Sequence, residues 1–296
     1  MVEAFKDLEY RSVSNLSERD VILITNTHTE LKELPPPLLE KTKLIIHPNS
    51  GYDNFRHEHT LWRHIPLVIG HTIRAQAVAE YSLRALFEGM IELPQHLHWD
   101  SQRNWDRPLL KGLPVWLFGY GHIGKIIAET LAVLGMDVTI IDPFIEDCPH
   151  RWFKKWDEGH LKSARVIIAA TSLNETSHHI FGEKFFSSLG DSTLFINGAR
   201  GKLVDEYFLR SYLEKYPRSF AFLDVFENEP FGQEWHGFPQ VWKTSHIAGV
   251  EKNLDSKIIQ FEQSVLTNFL KSSPLEFSNT YAKELLQNKW IKGVLV

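Results

Sequence analysis

Apolar residues in this chain fall in short runs of four to six positions, separated by stretches with helical spacing. Runs at 21–24, 43–46, 65–69, 115–118, 138–141, 164–169, 193–196, 220–223 and 241–244 are too short for buried helices and read as strands. They are apolar at consecutive positions rather than at alternate ones, so both faces of the sheet should be covered, as in parallel sheets. Between them, 75–90 (AQAVAEYSLRALFEGM), 183–189 and 205–215 carry apolar residues three and four apart, the spacing of helices with one buried face. Helical patterns at 254–271 and 282–287 follow the last strand. Pro35-Pro36-Pro37 breaks any long N-terminal helix and permits a short one from Leu38. Residues 91–113 are polar and rich in Trp, His and Arg, a loop by pattern. Strand and helix in alternation predict an α/β protein built on parallel sheet.

Composition narrows the partners. A length of 296 residues suggests about two domains. The net charge of −5 offers no reason to expect nucleic acid or an anionic membrane. Fifteen histidines show no metal-ligand spacing, so no metal is expected. Cys148 is the only cysteine, which rules out an internal disulfide and fits a reducing compartment. The opening MVEAFKDLEYRS lacks the basic-then-apolar layout of a signal peptide, and no apolar run reaches the ~20 residues that span a bilayer. A soluble, cytoplasmic protein is expected.

Residues 115–142, VWLFGYGHIGKIIAETLAVLGMDVTIID, carry the most chemistry. An apolar run leads into Gly119-Tyr120-Gly121-His122-Ile123-Gly124, then a helix, a second run and Asp142. In a dinucleotide-binding βαβ unit Gly119 makes the tight turn, Gly121 lets backbone approach a pyrophosphate, and Gly124 packs helix on strand. The unpaired N–H groups of the helix start face the phosphates. Asp142 is placed to accept the ribose hydroxyls of NAD and to repel the 2′-phosphate of NADP.

Three further segments each follow a strand directly. They are Asn197 to Glu206, Asp224 to Pro230, and Thr244 to Gly249. Carboxyl ends of strands line the ligand crevice of a doubly wound sheet, so an arginine (Arg200), acids and a histidine (His246) should gather there. A guanidinium grips a carboxylate through paired hydrogen bonds, a histidine exchanges a proton with a carbonyl oxygen, and a carboxylate orients that histidine. Singly, Arg200 is as well read as a turn cap or partner of Asp205, and His246 as a core histidine. The tripeptide Glu227-Asn228-Glu229 gives no bottom-up choice between its two acids.

Together these residues resemble the D-isomer-specific 2-hydroxyacid dehydrogenases over roughly Asp20 to Asn279. Ser50-Gly51-Tyr52-Asp53-Asn54 is similar to that family's substrate loop and Val78-Ala79-Glu80 to its interdomain helix. Asn197 to Glu206, Asp224 to Pro230 and His246 to Gly249 are similar to its three signature segments. The resemblance implies NAD-dependent interconversion of a 2-oxo acid and a D-2-hydroxy acid. Arg200 would anchor the substrate carboxylate, His246 would be the acid/base, and Glu229, next to the proline, would be its partner. It also implies cofactor contacts from Ser50, His122, Ile123, Asp142, Thr171, Ala199, Asp224, His246 and Gly249, beside the three glycines. Backbone near Asn49, Ser50 and Gly51 would receive the substrate carboxylate. The implied architecture is a Rossmann cofactor domain (77–250) and a smaller flavodoxin-like, doubly wound substrate domain (1–76 with 251–296), dimeric through the cofactor domain.

Departures are few. His47-Pro48-Asn49-Ser50 replaces a glycine-containing approach to the loop, and Arg74 stands where the family commonly has Asn. Ser172 and Ser245 occupy usual proline positions. The usual opening strand and helix are hard to find before Val21, and no regulatory domain is expected after the last helix. An alternative from another class is an NAD(H)-sensing protein-binding module, as in the corepressor branch that Leu173 to His179 resembles. A formate dehydrogenase is disfavoured because that branch pairs its histidine with Gln.

Overall fold

The computed structural model describes residues 20–90, 97–103, 109–291 and 294–296. The chain divides into two compact units, Met1–Ala75 with Val250–Val296, and Gln76–Gly249.

In the first unit β1 (Val21–Ile24), α1 (Pro36–Lys41), β2 (Thr42–His47), α2 (His59–Trp62) and β3 (Leu67–Ile69) follow in order. The strands form a three-stranded parallel sheet in the order β1-β2-β3. Along β2, Ile45 packs with Phe55, Trp62 and Ile69 on one face, while Leu44 and Ile46 pack with Val265 and Phe277 on the other. Successive side chains point to opposite faces, so a strand apolar throughout needs a layer on each side.

The helix α3 (Ala75–Met90) leads into the second unit. There β4 (Pro114–Phe118), α4 (His122–Val133), β5 (Asp137–Ile141), β6 (Arg151–Phe153), α5 (Glu158–Leu161), β7 (Val166–Ala169), α6 (Glu183–Ser188), β8 (Leu194–Asn197), α7 (Glu206–Lys215), β9 (Phe220–Leu223) and β10 (Val241–Lys243) build one seven-stranded parallel sheet. Its order, β10-β9-β8-β7-β4-β5-β6, reverses direction between β4 and β7. That reversal is the doubly wound Rossmann arrangement, with its crevice at the carboxyl ends of the strands. Trp116 and Phe118 of β4 enter one core with Phe181, Phe185 and Phe195; Val115 and Leu117 enter the other with Ile127 and Leu131.

The chain then returns to the first unit with α8 (Leu254–Lys271) and α9 (Pro274–Thr280). The α-helix expected at 282–287 does not form: the chain turns over 282–284, and a short 3-10 helix runs Leu286–Lys289. The backbone at 284–285 docks on β3 instead: Ile69 N–H donates to Glu284 O at 2.9 Å, and Val68 bridges Leu285. Tertiary pairing outcompetes local helix propensity here. Helix α9 was unforeseen, although Ser273-Pro274 and Glu276 spell a capping box with proline at the first helical position. Strand β6 is too short to stand out as an apolar run in the sequence. It is a three-residue edge strand whose Arg151 reaches back to Asp137 (2.9 Å) and Thr139 Oγ1 (2.9 Å) across β5. Among the described residues no helix is long and apolar enough to cross a membrane.

Candidate active site

The glycine turn stands at the topological switch point. Gly119 has φ +99°, and a Cβ there would lie 2.6 Å from Ala170 O and 2.7 Å from Thr171 Cα, just beyond β7. Only glycine makes this turn against the neighbouring loop, which brings Thr171 onto it. A Cβ on Gly124 would lie 2.1 Å from Gly119 O, so the helix closes on the strand end as expected. Gly121 is different: a Cβ there meets nothing within 4 Å. It caps α4 without any side-chain hydrogen bond, and both it and His122 are exposed, with Ile123 half-buried. The first-turn N–H groups of α4 are thus open to an anion. Asp142, just past β5, accepts from Tyr120 N (2.8 Å) and Phe144 N (2.8 Å), which ties its carboxylate to the same turn. A turn that excludes Cβ where backbone crowds and leaves room where a pyrophosphate would approach fits a dinucleotide.

The three downstream segments converge. Adjacent parallel strands β8, β9 and β10 deliver them at the same sheet edge. A Cβ on Gly201 would lie 1.8 Å from Phe226 O, so the arginine loop and the acid loop touch backbone to backbone. A Cβ on Gly198 would lie 3.6 Å from Ala248 Cβ, which sets the arginine loop beside the histidine loop. Finally, His246 Nδ1 and Glu229 Oε2 are 2.8 Å apart, joining the histidine loop to the acid loop.

Several local bonds hold this constellation. Asn197 Oδ1 accepts from Ala199 N (3.1 Å) while its amide donates to Arg200 O (3.0 Å), fixing the backbone on either side of the arginine. The guanidinium donates to Ala199 O (2.8 Å). Glu229 Oε1 accepts from Phe226 N (3.1 Å), so each oxygen of this carboxylate has a donor. His246 itself sits at φ +54°, a left-handed conformation uncommon for a non-glycine residue and concentrated at functional sites. Its side chain is 54% exposed. Buried Asp224 clamps the loop behind it, accepting from Ile247 N (2.7 Å), Ala248 N (2.8 Å) and Thr244 Oγ1 (2.6 Å). Thr244 Oγ1 also meets Tyr81 Oη at 2.9 Å; burial raises that phenol above its ordinary range, and the threonine bond partly offsets it. The resemblance implies Asp224 as a cofactor contact, and no local sequence pattern points to this clamp.

The two acids of Glu227-Asn228-Glu229 part company. Glu227 N–H donates to Glu206 Oε1 (2.7 Å), and Glu227 Oε1 meets His179 Nε2 (2.9 Å). Glu227 therefore belongs to a second histidine pair, and Glu229 alone faces His246. Among the described residues no group of three or more His, Cys, Asp or Glu is arranged to hold a metal.

In the first unit, His47 staples the loop that contains Asn49, Ser50 and Gly51. Its Nε2 meets Gly51 O (2.8 Å), and its Nδ1 meets Thr25 Oγ1 (2.9 Å). A carbonyl only accepts, so Nε2 carries a hydrogen. Ser50 Oγ is buried with no hydrogen-bond partner in the protein, a polar atom that calls for one from a ligand or water. Trp99 is exposed, and Trp105 lies outside the described residues.

Comparison with known proteins places this geometry in context. Residues 81–248 match the family "D-isomer specific 2-hydroxyacid dehydrogenase, NAD binding domain". The chain is 30% identical over 296 aligned positions to the erythronate-4-phosphate dehydrogenase of Acinetobacter baylyi, covering 95% of this chain and 76% of that protein. It is 26% identical to the D-3-phosphoglycerate dehydrogenase of Methanocaldococcus jannaschii, over 71% of this chain and 42% of that longer protein. Its fold is similar to the D-lactate dehydrogenase of Aquifex aeolicus solved with NAD and lactic acid, with TM-score 0.74, 21% identity and coverage of 95% and 94% of the two chains. The chain belongs to the D-isomer-specific 2-hydroxyacid dehydrogenase family, and its cofactor is NAD.

Proposed function

We propose that this protein interconverts a 2-oxo acid and the corresponding D-2-hydroxy acid, with Arg200 holding the substrate carboxylate and the His246–Glu229 pair handling the proton. The observation that carries this reading is the 2.8 Å contact between His246 Nδ1 and Glu229 Oε2. An ionised carboxylate only accepts, so Nδ1 carries the hydrogen and Nε2 is left to exchange a proton with the substrate oxygen. In the reducing direction the protonated Nε2 gives its proton to the carbonyl oxygen; in the oxidising direction the neutral Nε2 removes it from the hydroxyl. Glu229 fixes the ring orientation and stabilises the imidazolium in both directions. The Arg200 guanidinium pairs with the carboxylate and holds the neighbouring carbonyl toward His246. NAD, when bound, supplies or takes up the redox equivalent.

Gly119, Gly121, His122, Ile123, Gly124 and Asp142 would hold the pyrophosphate and ribose. Thr171 would join the adenosine or pyrophosphate contacts, Ala199 and Asp224 would serve the nicotinamide end, Gly249 would also contact the cofactor, and the backbone of Asn49, Ser50 and Gly51 would receive the substrate carboxylate. A homodimer through the second unit is part of the reading; exposed Phe87, Trp99, Val133 and Leu134 supply apolar surface for it.

The test is NADH oxidation by the purified protein with a panel of small 2-oxo acids, run beside Arg200→Gln and His246→Ala. Turnover that disappears in both variants while NADH binding survives supports the assignment. Absence of turnover with every oxo acid, or full activity in either variant, overturns it.

A further inference from the structure

Tyr81 of α3 touches two of the three loops that meet at the candidate active site, and the reaction proposed above makes no use of it. A Cβ on Gly198 would lie 3.4 Å from Tyr81 Cδ1 and 3.6 Å from Ala248 Cβ, so the phenol ring stands over the arginine loop where that loop meets the histidine loop. The hydroxyl, 2.9 Å from Thr244 Oγ1, reaches the residue that opens the histidine loop. Tyr81 and these partners all lie within the second unit.

Counting hydrogens gives the hydrogen bonds a direction. Thr244 Oγ1 is 2.6 Å from Asp224 Oδ1. An ionised carboxylate only accepts, so the one hydroxyl hydrogen of Thr244 points at Asp224. Thr244 then has only lone pairs to offer Tyr81, and the phenol must donate. Burial raises this phenol above its ordinary range, and the Asp224 charge adds to the rise, so it keeps the hydrogen it has to give. The result is a relay from Tyr81 O–H to Thr244 O–H to the Asp224 carboxylate, in which each bond polarises the next.

Asp224 is where this relay reaches the histidine. Its carbonyl oxygen accepts from His246 N (2.8 Å), and its carboxylate accepts from Ile247 N (2.7 Å) and Ala248 N (2.8 Å). Three successive backbone N–H groups therefore converge on one buried residue, with His246 at φ +54°. A left-handed conformation is costly for a residue with a side chain and persists only where its surroundings over-determine it. Released, the His246 backbone would relax and carry the ring away from Glu229, whose Oε2 is 2.8 Å from Nδ1.

We infer that Tyr81 is a positioning residue: through Thr244 and Asp224 its hydroxyl holds the His246 backbone in the left-handed conformation that keeps the imidazole on Glu229. Only the expected effect on turnover rests on the 2-oxo acid reading above; the effect on the ring does not.

The test compares Tyr81→Phe, which removes one oxygen and keeps the ring, with Thr244→Val, which breaks the relay at its middle, and Thr244→Ser, which preserves it. In the full chain with isotopically labelled histidine, nitrogen–proton correlation spectra report which ring nitrogen of neutral His246 holds the hydrogen, the signals being assigned by their loss in His246→Ala. Wild type and Thr244→Ser should show Nδ1–H alone, whereas Tyr81→Phe and Thr244→Val should show a mixture with the Nε2–H form. With NADH and a 2-oxo acid that the protein reduces, kcat should fall about fivefold in Tyr81→Phe, the worth of one hydrogen bond, while the KM for the oxo acid and the NADH dissociation constant stay within about twofold. Because both residues act through one relay, Tyr81→Phe combined with Thr244→Val should lose no more than Thr244→Val alone. A residue that merely fills space would lower the urea midpoint and leave the tautomer as it was. An unchanged tautomer in Tyr81→Phe overturns the inference whatever becomes of kcat, and so does a mixture already present in wild type. A mixture created by Tyr81→Phe in a protein that reduces no oxo acid, or whose kcat is indifferent to it, keeps the role of Tyr81 and discards the reading of His246 as acid/base. Turnover equal in all variants, with Nδ1–H throughout, does the reverse.

Discussion

Gly201 and Phe226 meet more closely than any side chain permits: a Cβ on Gly201 would fall 1.8 Å from the Phe226 carbonyl oxygen. This contact sets the loop bearing Arg200 against the loop bearing Glu229. The obstacle is backbone on both sides, so no rotamer change can relieve it.

Gly201→Ala should therefore destabilise the second unit by at least about 2 kcal/mol, read as a lower urea midpoint at unchanged slope. If the protein folds, turnover should fall more than NADH affinity, because the displaced loop carries Arg200 while the glycine turn at Gly119 lies beyond β4. Unchanged stability would mean that the two loops are not packed as described.

The two acids of the Glu227-Asn228-Glu229 tripeptide should separate in kinetics. Glu229 faces His246 at 2.8 Å, whereas Glu227 faces His179 at 2.9 Å. Glu229→Gln keeps the size and loses the charge that steadies the imidazolium, so kcat should drop roughly a hundredfold or more. Glu227→Gln should leave kcat within about threefold, since its partner exchanges no proton with substrate. Equal losses in the two variants would contradict this division.

Much of this site was legible because its residues act through local mechanics. Gly119, Gly124 and Asp142 are constrained by the turn, the helix approach and the strand end within one βαβ unit, and each constraint leaves its residue type in the sequence. The choice between Glu227 and Glu229 is of another kind. It depends on the Glu227 backbone being drawn to Glu206 (2.7 Å), twenty-one positions away, and composition holds no trace of that path. The Asp224 clamp was hidden for the same reason, since its three donors come from the next strand's loop. Residues 282–287 depart from the helical pattern through tertiary competition, with Glu284 O taken by Ile69 N–H of β3 and Leu285 bridged to Val68. The α9 cap, by contrast, is local and written in Ser273, Pro274 and Glu276.

Two glycines of the turn should answer oppositely to alanine. Gly124→Ala drives a Cβ to 2.1 Å from Gly119 O and should cost at least about 2 kcal/mol of stability. Gly121→Ala meets no protein atom within 4 Å, so its unfolding midpoint should hold. The added methyl would occupy the approach of the pyrophosphate, and the NADH dissociation constant should rise about tenfold, or 1.4 kcal/mol. Fluorescence titration with NADH, beside a urea melt, reads both. Retained NADH affinity in Gly121→Ala would remove the turn from the cofactor site.

Glu262 offers a test of stability against pH. It is 1% exposed within α8, its Oε2 has no hydrogen-bond partner in the protein, and burial raises its carboxyl above the ordinary glutamate value. A raised folded-state value means that the native protein binds the proton more tightly than the unfolded chain does. The contribution of Glu262 is then fully present below the unfolded value near pH ~4.3, and it is lost as pH rises through the folded value. Glu262→Gln stays neutral and lacks this dependence. The variant should exceed wild type by on the order of 1 kcal/mol at neutral pH, and the gap should close on acidification toward the unfolded value. Paired urea melts across that range read the difference directly. A gap that is constant with pH would show that the carboxyl is not desolvated in the native state, and a gap that widens in acid would reverse the sign argued here.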